Sequence, residues 1–306
     1  MMSSKAFQHR KGRPAPLRNV LAAALIGAAA LAGCSAPLPT GPGKTADSAN
    51  PFDAVLTEEF DSIQHAQKVM SLQCVVDNGY PDVAQFVPEA PQEQARTSLE
   101  QAGGFFFLSR EQAERDGFGY STPASPKKLF VHDQAFGAVS DACFTTAWTE
   151  LGPDAENTTL QYRALMSRLS GQMFKVLENA KPLTDRILQC LKDKGHPVSS
   201  GDTRGISPNI EMGQVPQRAE RPGPRMTSGV EILDGVPEAR YIPSHAESVL
   251  AGDYYTCAEQ TGVRASFQQD LTAAKKTAIA DNEAQLTELN TKISALAKKA
   301  AELSGR

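Results

Sequence analysis

Leu56, Phe60, Ile63, Met70 and Cys74 recur at intervals of three, four and seven residues. That spacing predicts a helix over about 54–76 with one buried apolar stripe. A second pattern, Phe136, Val139, Cys143, Ala147 and Trp148, predicts a helix over about 133–151, with Trp148 read as core. A third spans 159–193 through Leu165, Leu169, Met173, Val176, Leu177, Ala180, Ile187 and Leu191. It is expected to break at Pro182, whose ring and missing N–H disrupt a helix interior. Ser244-x-x-Glu247 reads as a capping box opening a helix that runs through Tyr254, Tyr255 and Cys257 to Gly262. The next 40 residues, 265–304, contain neither Gly nor Pro and predict one long final helix. Along it Leu286, Leu289, Ile293, Leu296, Ala300 and Leu303 alternate spacings of three and four as a heptad seam. A seam this short is expected to pack inside the chain, against the helix at 159–180. Another copy or a different protein is the alternative, which makes Leu286, Leu289, Ile293, Leu296 and Leu303 the candidate partner surface.

The chain also repeats itself. Leu72-Gln73-Cys74-Val-Val-Asp77-Asn-Gly79-Tyr80-Pro81 and Leu188-Gln189-Cys190-Leu-Lys-Asp193-Lys-Gly195-His196-Pro197 agree at six of ten positions. Each reads as a helix end, with Gly as the left-handed residue beyond the last turn and Pro preventing continuation. Cys143 follows Cys74 by 69 residues and Cys257 follows Cys190 by 67. The duplicated spacing favours Cys74–Cys143 and Cys190–Cys257 as disulfides, one per repeat. A Cys74–Cys190 link joining the two helix ends is the competing arrangement. The expected fold is mainly α: a disulfide-stapled helical protein with two pseudo-repeats, about 53–170 and 171–306, long Pro/Gly-rich loops and a long C-terminal helix.

Two stretches lack helical period. After Gly79 the chain is irregular to about Lys128, apart from a Ser109-x-x-Gln112 capping box and the run Gly103-Gly104-Phe105-Phe106-Phe107-Leu108. That run reads as a short strand or a core plug, with contact to lipid or an apolar ligand as its functional alternative. Residues 196–243 hold seven prolines and six glycines in 48 positions, an irregular insertion of the kind that carries function or moves.

The N-terminus poses a different problem. Residues 1–33 carry five basic residues (Lys5, Arg10, Lys11, Arg13, Arg18) and no acidic ones, and Val20–Leu31 is a twelve-residue apolar run. This is the pattern of a secretory signal, too short to span a bilayer. Leu31-Ala32-Gly33-Cys34 resembles the bacterial lipobox. By that resemblance 1–33 is a lipoprotein signal peptide, and Cys34 becomes a mature N-terminus bearing a diacylglyceryl thioether and an N-acyl chain such as palmitate. Residues 34–52, with four prolines and two glycines, read as a lipidated tether to a helical domain over 53–306.

The whole 306-residue chain carries 31 Lys plus Arg against 35 Asp plus Glu, a net charge of −4, which excludes a strongly basic nucleic-acid binder. Removing residues 1–33 leaves 26 basic against 35 acidic residues, so the exported part is the more acidic. The lipobox, the paired C-x4-G helix ends and Cys257-Ala-Glu-Gln-Thr-Gly262 ahead of a long charged helix resemble a group of actinobacterial cell-envelope lipoproteins without an assigned activity. His196 departs from that group, which carries Tyr or Phe after the glycine, as at Tyr80. The resemblance implies localisation and fold only.

No HExxH, GxSxG, dinucleotide fingerprint, CxxC pair or complete phosphate loop is present. His65 is expected on a polar helix face, and His196 and His245 at a turn and a helix start. The sequence therefore implicates no catalytic residue, metal or cofactor. The expected function is a lipid-anchored extracytoplasmic binding or adaptor protein of the bacterial envelope, attached to the membrane through Cys34 and serving an envelope protein partner. A ligand receptor using the 196–243 insertion is the alternative, followed by an envelope hydrolase built from distant carboxylates.

Overall fold

The computed structural model describes residues 50–100, 105–217, 220–227 and 230–304. The expected signal peptide, with Leu31, Ala32, Gly33 and Cys34, and the expected tether as far as residue 49 lie outside them. The folded part begins earlier than the sequence suggests. Asn50 Oδ1 accepts from the Phe52 N–H (3.2 Å) to start a 3₁₀ turn, Pro51–Ala54, and Phe52 is fully buried. The end of the expected tether is therefore core.

α1 (Thr57–Asp77) buries Phe60, Ile63 and Ala66. It is followed by a short α2 (Gln94–Leu99) and by α3 (Arg110–Asp116), which Ser109 caps by accepting from the Gln112 N–H (3.1 Å). After strand β1 (Lys128–Val131), α4 (Gln134–Leu151) is capped by Asp133, and α5 (Ala155–Asn179) gives way at Ala180 to α6 (Lys181–Asp193). The break expected at Pro182 thus falls two residues earlier, with the proline in the first turn of α6, where its missing N–H is tolerated. Short strands β2 (Val198–Thr203), β3 (Ile206–Pro208), β4 (Arg225–Thr227) and β5 (Val230–Leu233) precede α7 (His245–Gln260), α8 (Val263–Asp281) and α9 (Glu283–Ser304).

The two C-x4-G ends are the same device. The Gly79 N–H bonds Val76 O and the Tyr80 N–H bonds Val75 O; the Gly195 N–H bonds Lys192 O and the His196 N–H bonds Leu191 O. Each is a Schellman closure, with Gly79 at φ 100° and Gly195 at φ 88°. Cys74 is bonded to Cys143 on α4 and Cys190 to Cys257 on α7, the arrangement that the duplicated spacing favours. The residue after each glycine makes an equivalent tie. The Tyr80 hydroxyl reaches Asp133 Oδ2 (3.1 Å), and His196 Nε2 reaches Asp253 Oδ2 (2.8 Å), so each turn is tied to an aspartate beside its partner cysteine's helix.

The stretch expected to form one C-terminal helix is two. At Asn282 the backbone leaves helical geometry (φ −119°, ψ 13°) and the side-chain amide donates to Ala278 O (2.9 Å). An asparagine amide competes with backbone N–H groups for such carbonyls and ends a helix without Gly or Pro. α8 then packs on α5, while α9 packs on α1 and α5. The seam packs inside the chain, as expected, and the alternative of a partner surface there is corrected: Leu286, Leu289 and Ile293 are at most 1% exposed, and Leu296 and Leu303 are half-buried against the same core. A polar node sits inside the seam. The Tyr162 hydroxyl donates to Asn290 Oδ1 (2.8 Å) and accepts from the Leu56 N–H (2.7 Å), and Asn290 Nδ2 donates to Ala54 O (2.9 Å).

The phenylalanine run is a plug, which removes its reading as a lipid or ligand contact. Phe106 and Phe107 are each 4% exposed, and Phe106 meets Phe267 edge-on at 5.1 Å while Phe107 meets Phe118 at 5.8 Å. The described part of the 196–243 insertion is paired in places rather than irregular throughout. β5 lies between β1 and β4, all antiparallel, and Leu129 faces Ile232 in register. β2 and β3 form a hairpin, and bridges Thr122–Ala239, Ser125–Val236 and Gln214–Ile242 fasten the remainder. Val230 and Ile232 join Val75, Val83, Phe136 and Cys143 in a small second core around the first disulfide.

Candidate functional site

Two carboxylates, the buried Glu247 and the half-buried Asp253, are engaged by neighbouring donors. Glu247 is fully buried, in the first turn of α7, where the helix dipole favours an anion. Its carboxylate accepts from the Phe118 N–H, the Gly213 N–H and the Tyr241 hydroxyl, each at 2.7 Å. Burial, reinforced by that bond to Glu247, pushes the Tyr241 phenol up to about 12. The capping box is thus half realised: Ser244 Oγ accepts from the Glu247 N–H (3.1 Å), while the Glu247 side chain is diverted to tie three separate segments together. Asp253 is bonded to His196 and to Lys194 Nζ (3.2 Å). Burial opposes its charge, but the bonds from His196 and Lys194 prevail and hold its carboxyl below the usual aspartate range. Among the described residues no group of three or more His, Cys, Asp or Glu is placed to hold a metal ion, and no helix is long and apolar enough to cross a membrane.

The site with unused chemistry lies elsewhere. A cleft of about 830 Å³ opens between α1, the 88–99 segment and α5, within the size range of ligand sites. Phe60, Gln64, Gln67 and Lys68 recur on one face of α1, and Arg163, Ser167, Ser170 and Phe174 recur on the facing side of α5. Phe60 stacks on Tyr162 (centroids 5.6 Å apart) and links the two helices, while α2 packs on both. Leu99 and Met166 add apolar wall.

Three nitrogens among the lining residues, Gln64 Nε2, His65 Nδ1 and Gln67 Nε2, are buried without a hydrogen-bond partner in the protein. A buried, unpaired polar group costs about 1–3 kcal/mol, so these three nitrogens, two of them on the α1 face that borders the cleft, have bonds still to make. Gln64 Oε1 is already used, accepting from the Arg163 guanidinium (2.8 Å), which also lies 5.9 Å from the centre of the Phe60 ring. The one carboxylate of the lining, Asp61, is 8% exposed, and both its oxygens lie 3.2 Å from the Ala95 N–H. Burial pushes its carboxyl above the ordinary range against that bond, and Glu93 adds to the rise.

The sequence did not point here. The α1 stripe Leu56, Phe60, Ile63, Met70, Cys74 skips one position of its own rhythm, and that position is Gln67, only 8% exposed. An amide at a seam position is the signal that was present. His65, expected on a polar face, is half-buried at the cleft. The 196–243 insertion, the expected cover of a receptor site, carries a depression of only about 320 Å³ beside Pro216, Gln217 and Ile242. Comparison with family models, curated proteins and solved structures finds no match for the chain, so its functional reading rests on the residues of the cleft.

Proposed function

We propose that this chain is a binding protein of the bacterial cell envelope, held at the extracytoplasmic face of the membrane by lipid on Cys34, with the α1/α5 cleft as its ligand site. The lipobox resemblance of Leu31-Ala32-Gly33-Cys34 supports the address, and two disulfides support an oxidising compartment. The three unpaired nitrogens lining the cleft carry the binding role. With the terminal seam buried, a partner has no apolar stripe to take there, and the cleft replaces it as the functional surface.

Gly171 supplies the test. It lines the cleft from α5, and a Cβ added there meets nothing within 4 Å. Gly171→Trp therefore starts from a Cβ in open space and brings an indole to the mouth of the cleft. In a thermal-shift screen of peptides, wall fragments and lipids, ligands that stabilise the wild type are expected to lose their effect on Gly171→Trp. Cys34→Ala is expected to lose acyl labelling and leave the membrane fraction. Ligand shifts undiminished by Gly171→Trp would place binding elsewhere, and a Cys34→Ala protein that stays acylated would contradict the anchor.

A further inference from the structure

The chemistry of the cleft selects among ligands. We propose that it takes a short peptide segment ending in a free carboxylate, an inference that rests on reading the cleft as the binding site. Charge comes first. The lining cations are Lys68 and Arg163, neither of them in an ion pair among the described residues, whereas the single acid, Asp61, is turned to the Ala95 N–H. The open charge of the cleft is positive and disfavours a cationic ligand. Arg163 is held at one edge by Gln64 Oε1, which leaves a planar fork of further N–H donors suited to a carboxylate. Lys68 lies one turn beyond Gln64 on the same face of α1.

The donors come next. Gln64 Nε2 and Gln67 Nε2 sit one turn apart and lack acceptors. An extended peptide presents carbonyl oxygens along one edge at intervals of roughly 6.6–6.8 Å, which the two glutamine amides on neighbouring turns meet once they turn into the cleft. The walls then exclude the simpler anions. A volume of about 830 Å³ far exceeds an inorganic anion, and Phe60, Met166 and the 44%-exposed Phe174 provide apolar surface for a side chain. A fatty acid would want a continuous dry lining. Here Ser98, Ser167 and Ser170 interrupt the apolar residues.

The test is calorimetric titration of the full-length protein with an equimolar pool of N-acetylated tripeptides, the same pool C-terminally amidated, and decanoate. The acid pool is expected to bind saturably and the amide pool about tenfold more weakly. Arg163→Met is expected to erase the acid-over-amide preference. Gln67→Leu is expected to weaken both pools about tenfold while its unfolding midpoint holds or rises, because an apolar group of similar shape removes an unpaired donor. That combination separates a ligand contact from a structural role. Equal binding of acid and amide pools, or full binding by Gln67→Leu, overturns the proposal. Binding of decanoate alone, abolished by Gly171→Trp, overturns the peptide class and leaves the cleft as a binding site. Binding of peptides that Gly171→Trp leaves intact overturns both, as does no binding of any probe.

Discussion

Replacing Glu247 with Ala isolates the most connected buried group of the fold. The substitution strands two backbone N–H groups, of Phe118 and Gly213, and the Tyr241 hydroxyl, all now bonded at 2.7 Å. An orphaned buried donor costs about 1–3 kcal/mol, and the Gly213 bond is only partly buried, so about 3–6 kcal/mol is expected in total. The effect should read as a lower urea midpoint at unchanged m-value, with disulfides intact. Glu247→Gln keeps the shape but turns an NH2 towards donors, for an expected loss of about 1–3 kcal/mol. Tyr241→Phe removes one partner and should cost about 1 kcal/mol in the wild type and almost nothing in Glu247→Ala, the non-additivity of a shared bond. A Glu247→Ala loss below about 1 kcal/mol, or a Tyr241→Phe effect that is the same in both backgrounds, would mean that Glu247 does not hold these three donors together.

Three other outcomes follow from the same structure. Non-reducing peptide mapping should recover Cys74–Cys143 and Cys190–Cys257, and replacing either pair by Ser should cost about 4 kcal/mol in the chain-entropy treatment, since the spans are 69 and 67 residues. Ile293→Ala, at a fully buried seam position, should lose about 2–5 kcal/mol without changing the state of association; a stable variant that dissociates from a partner would mean that the seam faces outward. Tyr162, Tyr241 and Tyr254 are all pushed above the ordinary phenol range, chiefly by burial. Their folded-state protons are retained where the unfolded chain has lost them. Stability is therefore unaffected below about pH 10 and falls above it as the unfolded state ionises first, with Tyr241 following at about 12. The tyrosinate absorbance that Tyr241→Phe removes should accordingly develop at about pH 12, and its appearance near pH 10 would contradict the burial.

Local chemistry was legible wherever the deciding residue was a neighbour in sequence. Gly79 and Gly195 announce their helix ends because only the residue beyond the last turn needs the left-handed region. Ser109 and Ser244 declare their caps because the N–H each hydroxyl accepts from lies three residues on. What escaped depends on distant segments. Pairing of β1 with β5 joins positions about a hundred residues apart through strands of four residues, too short for an alternating pattern to stand out. The Asn282 break is local, but asparagine occurs in helices often enough that only the rival positions of α8 and α9 reveal it. Glu247 looked like half of a capping box until Phe118, Gly213 and Tyr241 arrived around it. Gln67 was readable in principle, as a polar residue in an apolar rhythm, whereas Arg163 and Gly171 acquire meaning only from the helix they face.

That the α1/α5 cleft binds ligand is a claim on which its glutamine side-chain amides report directly. In protein labelled with ¹⁵N at glutamine, with the Gln67 resonance identified through Gln67→Leu, titration with the acid tripeptide pool should move the Gln64 and Gln67 amides together and saturably. The Gln217 amide, beside the shallow depression of the insertion, should stay in place. Movement confined to Gln217, or none at Gln64 and Gln67 at saturating peptide, would contradict the claim.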